Sequence, residues 1–278
     1  LAVESDYFKS AAFKVSFSHE ANWWFNSTMQ ALFDLEMGVH FHAANVIPNL
    51  FAVPGALFEA ANRFSRPVKD RTGFAISAVS DCTSRTHRLE YIAALAKALE
   101  ARGKKLDQFG SCAGQRLSDE KNVSNYKFQI AFENKIQNGY VSEKLHRPMA
   151  FGAVPVYFGA PNAPVFTRTK SYIRVLDFKG VSELADYLVY LDSNDTAFEE
   201  YLAWHNNIGT AFTDDFLMWS AKQVSLKASP TDYGVGARKA RCCRLCDRHW
   251  VLAAKKAGLT ITEPVKTRKE VLEMFSMN

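Results

Sequence analysis

One stretch, residues 126–161, constrains the fold of this chain most strongly, because it reads in turn as strand, polar loop, helix and strand. Tyr126–Phe132 is a short apolar run of the kind that forms a buried strand. Ser142 precedes apolar residues at helical spacing, which predicts a helix N-cap, and Gly152 stands where a helix commonly ends. Residues 153–158 form a second apolar run. The stretch therefore predicts a βαβ unit, whose two strands run parallel in one sheet.

The same alternation continues on both sides of this unit. Apolar runs predict further strands at 74–80, 106–110 and 171–175, and helical periodicity predicts helices at 87–101, 181–191 and 197–206. Ser84 or Thr86 is expected to cap the first of these helices, and Gly103 to end it. Alternating strands and helices from about residue 74 to 204 predict a doubly wound α/β domain with a largely parallel sheet.

A polar segment at 67–73 is the expected linker between two units. It divides the chain into an N-terminal domain at 1–70, which is short for a domain, and a second domain at 71–246. Residues 247–278 read as a helical and polar tail. A further strand is expected at 13–17, where apolar and polar residues alternate.

Composition limits the classes of partner. The 278 residues are 47% hydrophobic and 23% charged, as in an ordinary globular protein. A net charge of +5 suits either a solvated basic surface or an anionic ligand such as a phosphate. The basic residues are scattered and no nucleic-acid module is evident, which argues against nucleic acid as a partner. No apolar run approaches the ~20 residues of a membrane helix, so we expect any membrane anchor to lie upstream of Leu1.

Polar residues cluster where the strand at 126–132 ends and the next helix begins. In parallel sheets ligands bind outside the carboxyl ends of the strands. A helix N-terminus favours phosphate, Lys144 adds a mobile positive charge, and Glu143 can accept hydrogen bonds from sugar hydroxyls. The alternative is an ordinary capping glutamate beside a solvated lysine. The absence of G-x-G-x-x-G and G-K-[ST] sequences argues against common dinucleotide and P-loop chemistry.

Three other positions are candidates for chemistry. Arg88 opens the helix after the strand at 74–80 and could clamp a diphosphate with two nitrogen atoms, or could be a surface arginine. Glu20 follows the strand at 13–17 and could be a general base, or simply an exposed glutamate. Cys243 and Cys246 form a C-x-x-C pair without a second pair, which favours a local disulfide over a metal site.

These motifs resemble the α1,3-fucosyltransferase family. The resemblance rests on YKFQIAFEN at 126–134, YVSEK at 140–144 and GAVPV at 152–156, and extends over roughly 74–246. The segments at 159–162 and 243–246 look most like the plant and invertebrate enzymes that fucosylate the core of N-glycans. Lys135 and Ser142 depart from the serine and threonine that are usual in the family.

The resemblance implies a GT-B fold, with two Rossmann-like domains that face each other across a cleft, the N-terminal one apparently incomplete here. It implies inverting transfer of L-fucose from GDP-β-L-fucose to a GlcNAc hydroxyl, in α1,3 linkage, on an N-glycan or glycoprotein. No metal or cofactor is strictly needed. Two alternatives are an inactive donor-binding, lectin-like relative and a GT-B transferase that uses another sugar nucleotide.

The matching positions carry the family's roles. Arg88 and Lys144 correspond to contacts with the diphosphate, and Glu143 to a residue that holds nucleotide or sugar hydroxyls. Asn134 and Tyr140 correspond to other positions of the donor pocket. Together these five residues are the predicted GDP-fucose site.

The family's catalytic base lies in its N-terminal domain. Glu20 and Glu4 are both candidates, and Glu20 is favoured because a recognisable strand leads into it. The resemblance also implies the Golgi lumen, as the soluble part of a single-pass type II membrane protein. Glycosylation sequons, which modestly favour a secretory route, begin at Asn26, Asn122 and Asn194.

Secretion would favour disulfides. Cys82 and Cys112 both follow predicted strands at one edge of the sheet, so we expect them to pair. Cys243–Cys246 is the second expected pair, which leaves Cys242 as the free thiol.

Overall fold

The computed structural model describes residues 54–216, apart from 84, 85, 139 and 215, and the backbone of three short strands nearer the N-terminus. Those strands are β1 (Val15–Ser18), β2 (Leu35–Gly38) and β3 (Asn45–Val46), which pair in parallel in that order. β1 confirms the strand expected at 13–17. Glu4, Glu20, Asn26 and the three cysteines after residue 240 lie outside the described residues.

A second sheet holds five strands that are all parallel. They are β4 (Gly73–Ala78), β5 (Leu106–Phe109), β6 (Tyr126–Phe132), β7 (Val154–Phe158) and β8 (Ile173–Arg174). Their spatial order is β5-β4-β6-β7-β8. This confirms the doubly wound α/β prediction. The strand order reverses between β4 and β6, so the carboxyl ends of these two strands flank the switch point where ligands bind in such sheets.

Helices cover both faces of this sheet. They are α1 (Pro54–Phe64), α2 (Arg88–Glu100), α3 (Glu143–Ala150), α4 (Val181–Ser193) and α5 (Asp195–Glu199). α2, α3 and α4 confirm the predicted helices. The single helix expected at 197–206 is wrong in detail, because α5 ends early and a 3₁₀ helix, Glu200–Asn206, continues the chain.

The main core lies between the sheet and the helices α2 and α4. Its leucine, isoleucine and aromatic side chains are almost fully buried, and each contributes about 1.5–3 kcal/mol. Members include Ile92, Leu95, Leu99, Phe128, Val156, Leu184 and Leu188. This core holds the strands in register and thereby sets the position of everything attached to their carboxyl ends.

The other face of the sheet is covered by α3, against which α1 packs. The shared apolar cluster includes Leu57, Ala60, Ala61, Met149, Ala150, Trp204 and Phe212. α1 lies inside the predicted domain at 1–70 and yet packs on α3. The domain limits 1–70, 71–246 and 247–278 remain predictions.

The end of α3 is fixed by a close approach to the end of α1. Gly152 has φ +78°, and a Cβ atom there would lie 2.4 Å from the Ser65 hydroxyl. Its carbonyl accepts a 2.6 Å hydrogen bond from the buried Arg71 guanidinium, whose pKa burial lowers to about 10. The glycine predicted to end this helix is therefore confirmed, and side-chain space as well as backbone angle requires it.

The start of α2 differs from expectation. The N-cap is His87, in the left-handed region at φ 54°, and its side chain makes no capping hydrogen bond. Thr86, one of the two predicted caps, instead donates its hydroxyl to the Glu133 carbonyl at 3.2 Å. The capping prediction was wrong because a contact with β6, 47 residues away, engages that hydroxyl. Among helices in the described part of the chain, none combines the length and apolar character needed to span a membrane.

Candidate functional site: the carboxyl edge of β4 and β6

Arg88 lies in the first turn of α2 and is only 3% exposed. Its guanidinium donates to the Asp81 carbonyl at 2.7 Å and to the Phe132 carbonyl at 3.3 Å. The Asp81 carboxylate lies 3.6 Å away, and the Nε atom is buried without a hydrogen-bond partner. Arg88 therefore joins the loop after β4 to the end of β6 and places a positive charge at the switch point.

A disulfide braces the loop beside Arg88. Cys82 and Cys112 are bonded, with Cα atoms 5.5 Å apart, which confirms the predicted pair. The bond ties the residues that follow β4 to those that follow β5. Asp81 precedes Cys82, and its carboxylate accepts hydrogen bonds from the Thr83 main chain and hydroxyl. The segment that carries the carbonyl contact to Arg88 is thus held from two sides.

Glu133 is the first residue after β6 and is fully buried. One carboxylate oxygen accepts from the Ser142 N–H at 2.8 Å, and the other accepts from the Ser142 hydroxyl at 2.6 Å. The Tyr157 hydroxyl donates to the same carboxylate at 3.4 Å. A buried carboxylate thereby ties the end of β6 to the start of α3.

Lys144 lies in the first turn of α3 and is about one third exposed. Its ammonium donates to the Glu143 carboxylate at 3.0 Å and to the Ser142 hydroxyl at 3.2 Å, and lies 3.6 Å from Glu133. Ser142 caps the helix as predicted, because its hydroxyl also accepts the Lys144 N–H. The ammonium is held at the helix N-terminus, where the helix dipole already favours anions.

Asn134 and Tyr140 lie in the loop between β6 and α3. The Tyr140 hydroxyl donates to the Asn134 side-chain oxygen at 3.1 Å, although Tyr140 itself is 2% exposed. The contact closes the loop on itself. It fixes the side chain of Asn134, which is partly exposed, beside the end of β6.

Charges at this edge influence one another. Burial raises the pKa of Glu133, while Lys144 and the two Ser142 hydrogen bonds oppose that shift. Burial also acts to raise the pKa of Glu143, but Lys144 outweighs it and the net shift is downward. Hydrogen bonds from Thr83 lower the pKa of Asp81, with smaller contributions from Arg88 and Lys144. Both cations therefore lie within electrostatic reach of one carboxylate.

All five residues of the predicted donor site belong to this edge. The positions of Arg88 and Lys144 suit an anion at the switch point. Sequence reasoning gave Glu133 no role, and it did not connect Thr86 or Tyr157 with that residue. The only local signal for Glu133 was a charged residue directly after an apolar strand.

A separate polar cavity of about 450 Å³ lies on another part of the sheet, at the amino ends of β4 and β6. Gly73, Asp107, Phe109, Arg116 and Tyr126 are among its lining residues. It includes none of the predicted site residues. In the residues that the structure describes, no group of three His, Cys, Asp or Glu side chains could hold a metal ion.

Comparison with known proteins covers the part of the chain that carries this edge. Residues 68–258 match the sequence family described as glycosyltransferase family 10 (fucosyltransferase), C-terminal. The chain belongs to this family. The matched residues contain the whole five-stranded sheet and all five predicted donor-site residues, so the family-10 assignment covers the edge described above.

Similar proteins include "GDP-fucose protein O-fucosyltransferase 3" of Xenopus tropicalis, which is 33% identical over 204 residues, 66% of this chain and 41% of that protein. The Gallus gallus protein of the same name is 37% identical over 140 residues, 45% of this chain and 28% of that protein. The chain thus spans less than half the length of these curated relatives.

A crystal structure of an α1,3-fucosyltransferase with GDP-fucose shares the fold. It superposes with a TM-score of 0.53 at 24% identity, over 69% of this chain and 66% of that one. The likeness supports the GT-B-like assignment that the resemblance implied.

Proposed function

We propose that this family-10 protein is a fucosyltransferase that takes L-fucose from GDP-β-L-fucose. The observation that carries the proposal is the pair of cations, Arg88 and Lys144, at the carboxyl edge of β4 and β6. A diphosphate leaving group develops negative charge as its bond to the sugar breaks, and preorganised positive groups stabilise that charge. Family membership supplies the donor: the relatives are named for GDP-fucose, and the match covers this edge.

The proposed reaction inverts the sugar. An acceptor hydroxyl attacks the anomeric carbon from the face opposite GDP, the bond from that carbon to the diphosphate oxygen breaks, and a carboxylate takes the hydroxyl proton. The product carries α-linked fucose, and GDP leaves. Glu20 is the proposed base, with Glu4 as the alternative, and both belong to the N-terminal part of the chain. We propose that the reaction needs no metal or other cofactor, because Arg88 and Lys144 supply positive charge at the edge where the diphosphate would bind.

Two acceptors follow from two different observations. The motifs at 126–156 favour α1,3 linkage to a GlcNAc hydroxyl, and the segments at 159–162 and 243–246 favour an N-glycan as its carrier. The names of the relatives favour a hydroxyl of a protein side chain instead. We propose the Golgi lumen as the place of action, which the three glycosylation sequons modestly favour.

A transfer assay tests the proposal and separates the acceptors. The full-length protein is incubated with GDP-fucose and, in parallel, with an N-glycan that ends in GlcNAc and with a folded secreted protein domain. Released GDP and product mass are measured, and NMR gives the linkage. Fucose on either acceptor supports the proposal and identifies the acceptor class. GDP-fucose binding without transfer would favour the inactive, lectin-like alternative. Transfer only from another sugar nucleotide would show that GDP-fucose is not the donor.

A further inference from the structure

Glu133 carries a carboxylate in a fully buried position, which is costly unless the charge is compensated. It lies at the carboxyl end of β6, at the switch point itself. Nothing in the proposed reaction requires this side chain to touch the donor. The Glu133 side chain is connected by hydrogen bonds to Lys144. The main chain at residues 132 and 133 is connected by hydrogen bonds to the segment that carries Arg88.

The side chain leads to Lys144. Both oxygens of Glu133 are engaged by Ser142, through the main-chain N–H at 2.8 Å and the hydroxyl at 2.6 Å. The same hydroxyl accepts hydrogen bonds from the Lys144 N–H and from its ammonium. Glu133 Oε2 also lies 3.6 Å from that ammonium. The carboxylate therefore fixes the first turn of α3 and, through it, the position of the lysine charge.

The main chain leads to Arg88. The Glu133 carbonyl accepts the Thr86 hydroxyl at 3.2 Å, and the preceding Phe132 carbonyl accepts Arg88 at 3.3 Å. Thr86 and Arg88 flank the N-cap of α2. Two consecutive residues at the end of β6 thus hold the starts of both helices whose cations face the switch point.

Packing leaves Glu133 little freedom. Gly159 passes so close that a Cβ atom there would lie 2.5 Å from Glu133 Cγ and 2.4 Å from the Tyr157 hydroxyl. The Tyr157 hydroxyl in turn contacts Glu133 and accepts the Ala160 N–H at 3.1 Å. The carboxylate is thus confined between β7 and α3, where it can set the geometry of the edge without entering it.

We infer that Glu133 is the positioning residue of the donor site, which holds the Lys144 ammonium and the N-terminus of α3 in place for the diphosphate. The inference rests on the proposed function, since it names how that same site is preorganised. Glu133 acts through Ser142 and Lys144 and does not itself touch the donor. Replacing it by the isosteric amide removes the charge while keeping the shape.

A double-mutant cycle separates positioning from a general structural role. GDP binding is measured by calorimetry for wild type, Glu133→Gln, Lys144→Ala and the double variant. Glu133→Gln is expected to weaken GDP binding about tenfold, the scale of one hydrogen bond to a charged group. In the Lys144→Ala background its further effect should fall below about twofold, because the two residues act as one unit. Glu120→Gln is the matched control, since it breaks an exposed ion pair with Arg147 of the same helix α3.

The outcomes are distinct. Equal GDP affinity for Glu133→Gln and wild type, or independent losses in the double variant, would overturn the inference while leaving the proposed function intact. If Glu133→Gln does not fold, Ser142→Ala replaces it, because it cuts the link to Lys144 and must produce the same non-additive loss.

A readout that needs no donor completes the test. Acetic anhydride labelling, quantified by peptide mass spectrometry, should show that Lys144 reacts faster in Glu133→Gln, relative to Lys170, which pairs with Glu200. An unchanged labelling rate of Lys144 would contradict the positioning role of Glu133, whether or not the protein binds GDP. Absence of GDP binding by the wild-type protein would instead contradict the proposed function.

Discussion

Two polar regions lie on the same five-stranded sheet, and their carboxylates are used in different ways. At the carboxyl edge, Glu133 is fully buried and holds the start of a helix that carries Lys144. At the cavity near the amino ends of β4 and β6, Asp107 is partly exposed. It accepts the Tyr126 hydroxyl at 2.9 Å and pairs with Lys105 at 2.6 Å. The first carboxylate organises positive charge, whereas the second simply neutralises it.

The two regions differ in what they offer to a ligand. The cavity offers about 450 Å³ of space. The edge offers two preorganised cations and a helix N-terminus at the switch point of a doubly wound sheet. A diphosphate is recognised by positive charge and by well-placed hydrogen-bond donors, so the edge is our proposed site for GDP-fucose. Variants at the edge and at the cavity should therefore behave differently.

The largest effect is expected from removing both cations. Arg88→Ala combined with Lys144→Ala should lower the rate of fucose transfer by at least about a thousandfold, because one preorganised donor to a developing charge is worth about 10²–10³. Initial rates of GDP release measure it. Asp107→Asn, at the cavity, is the control and should stay within about twofold of wild type. Comparable losses in the two variants would erase the distinction between the regions.

The disulfide should have the next largest effect, on stability. Cys82–Cys112 closes a loop with a sequence separation of 30 residues. Its removal by Cys82→Ser with Cys112→Ser should cost about 3–4 kcal/mol of unfolding free energy, chiefly by freeing the unfolded chain. Denaturant titration measures the loss. Since the bond braces the loop beside Arg88, GDP affinity should also fall, and unchanged affinity in the folded variant would show that Arg88 needs no such brace.

A matched pair of hydroxyl deletions compares the regions directly. Ser142→Ala removes a helix cap and leaves the buried Glu133 carboxylate short of a donor, so it should cost about 2 kcal/mol. Tyr126→Phe removes the hydroxyl that donates to the partly exposed Asp107 and should cost about 0.5 kcal/mol. Thermal and denaturant unfolding of the two variants measure the difference. A reversed order would mean that burial does not govern these two contacts.

Local patterns in the sequence were sufficient for the five strands of the main sheet and for the helices α2, α3 and α4. The apolar runs located β4 to β8, Ser142 and Gly152 marked the two ends of α3, and the edge shared by two strand ends paired Cys82 with Cys112. These features depend on residues close in sequence, or on the rule that the carboxyl ends of parallel strands lie at the same edge of a sheet.

The network around Glu133 could not be predicted in this way. Its partners Thr86 and Tyr157 lie 47 residues before it and 24 residues after it. The same long-range contact engages the Thr86 hydroxyl, which is why the predicted cap of α2 failed. Arg88 was weighed as a clamp or a surface residue, and its burial under two main-chain carbonyls emerged only when β4 and β6 were placed side by side.

Hydrogen–deuterium exchange with and without GDP tests the proposed position of the donor site, because it reports both regions in one experiment. We expect GDP to slow exchange in peptides covering 81–88 and 133–145, at the carboxyl edge, and to leave exchange in those covering 115–126, at the cavity, unchanged. Protection confined to 115–126, with no change at 133–145, would contradict this expectation and place the donor at the cavity.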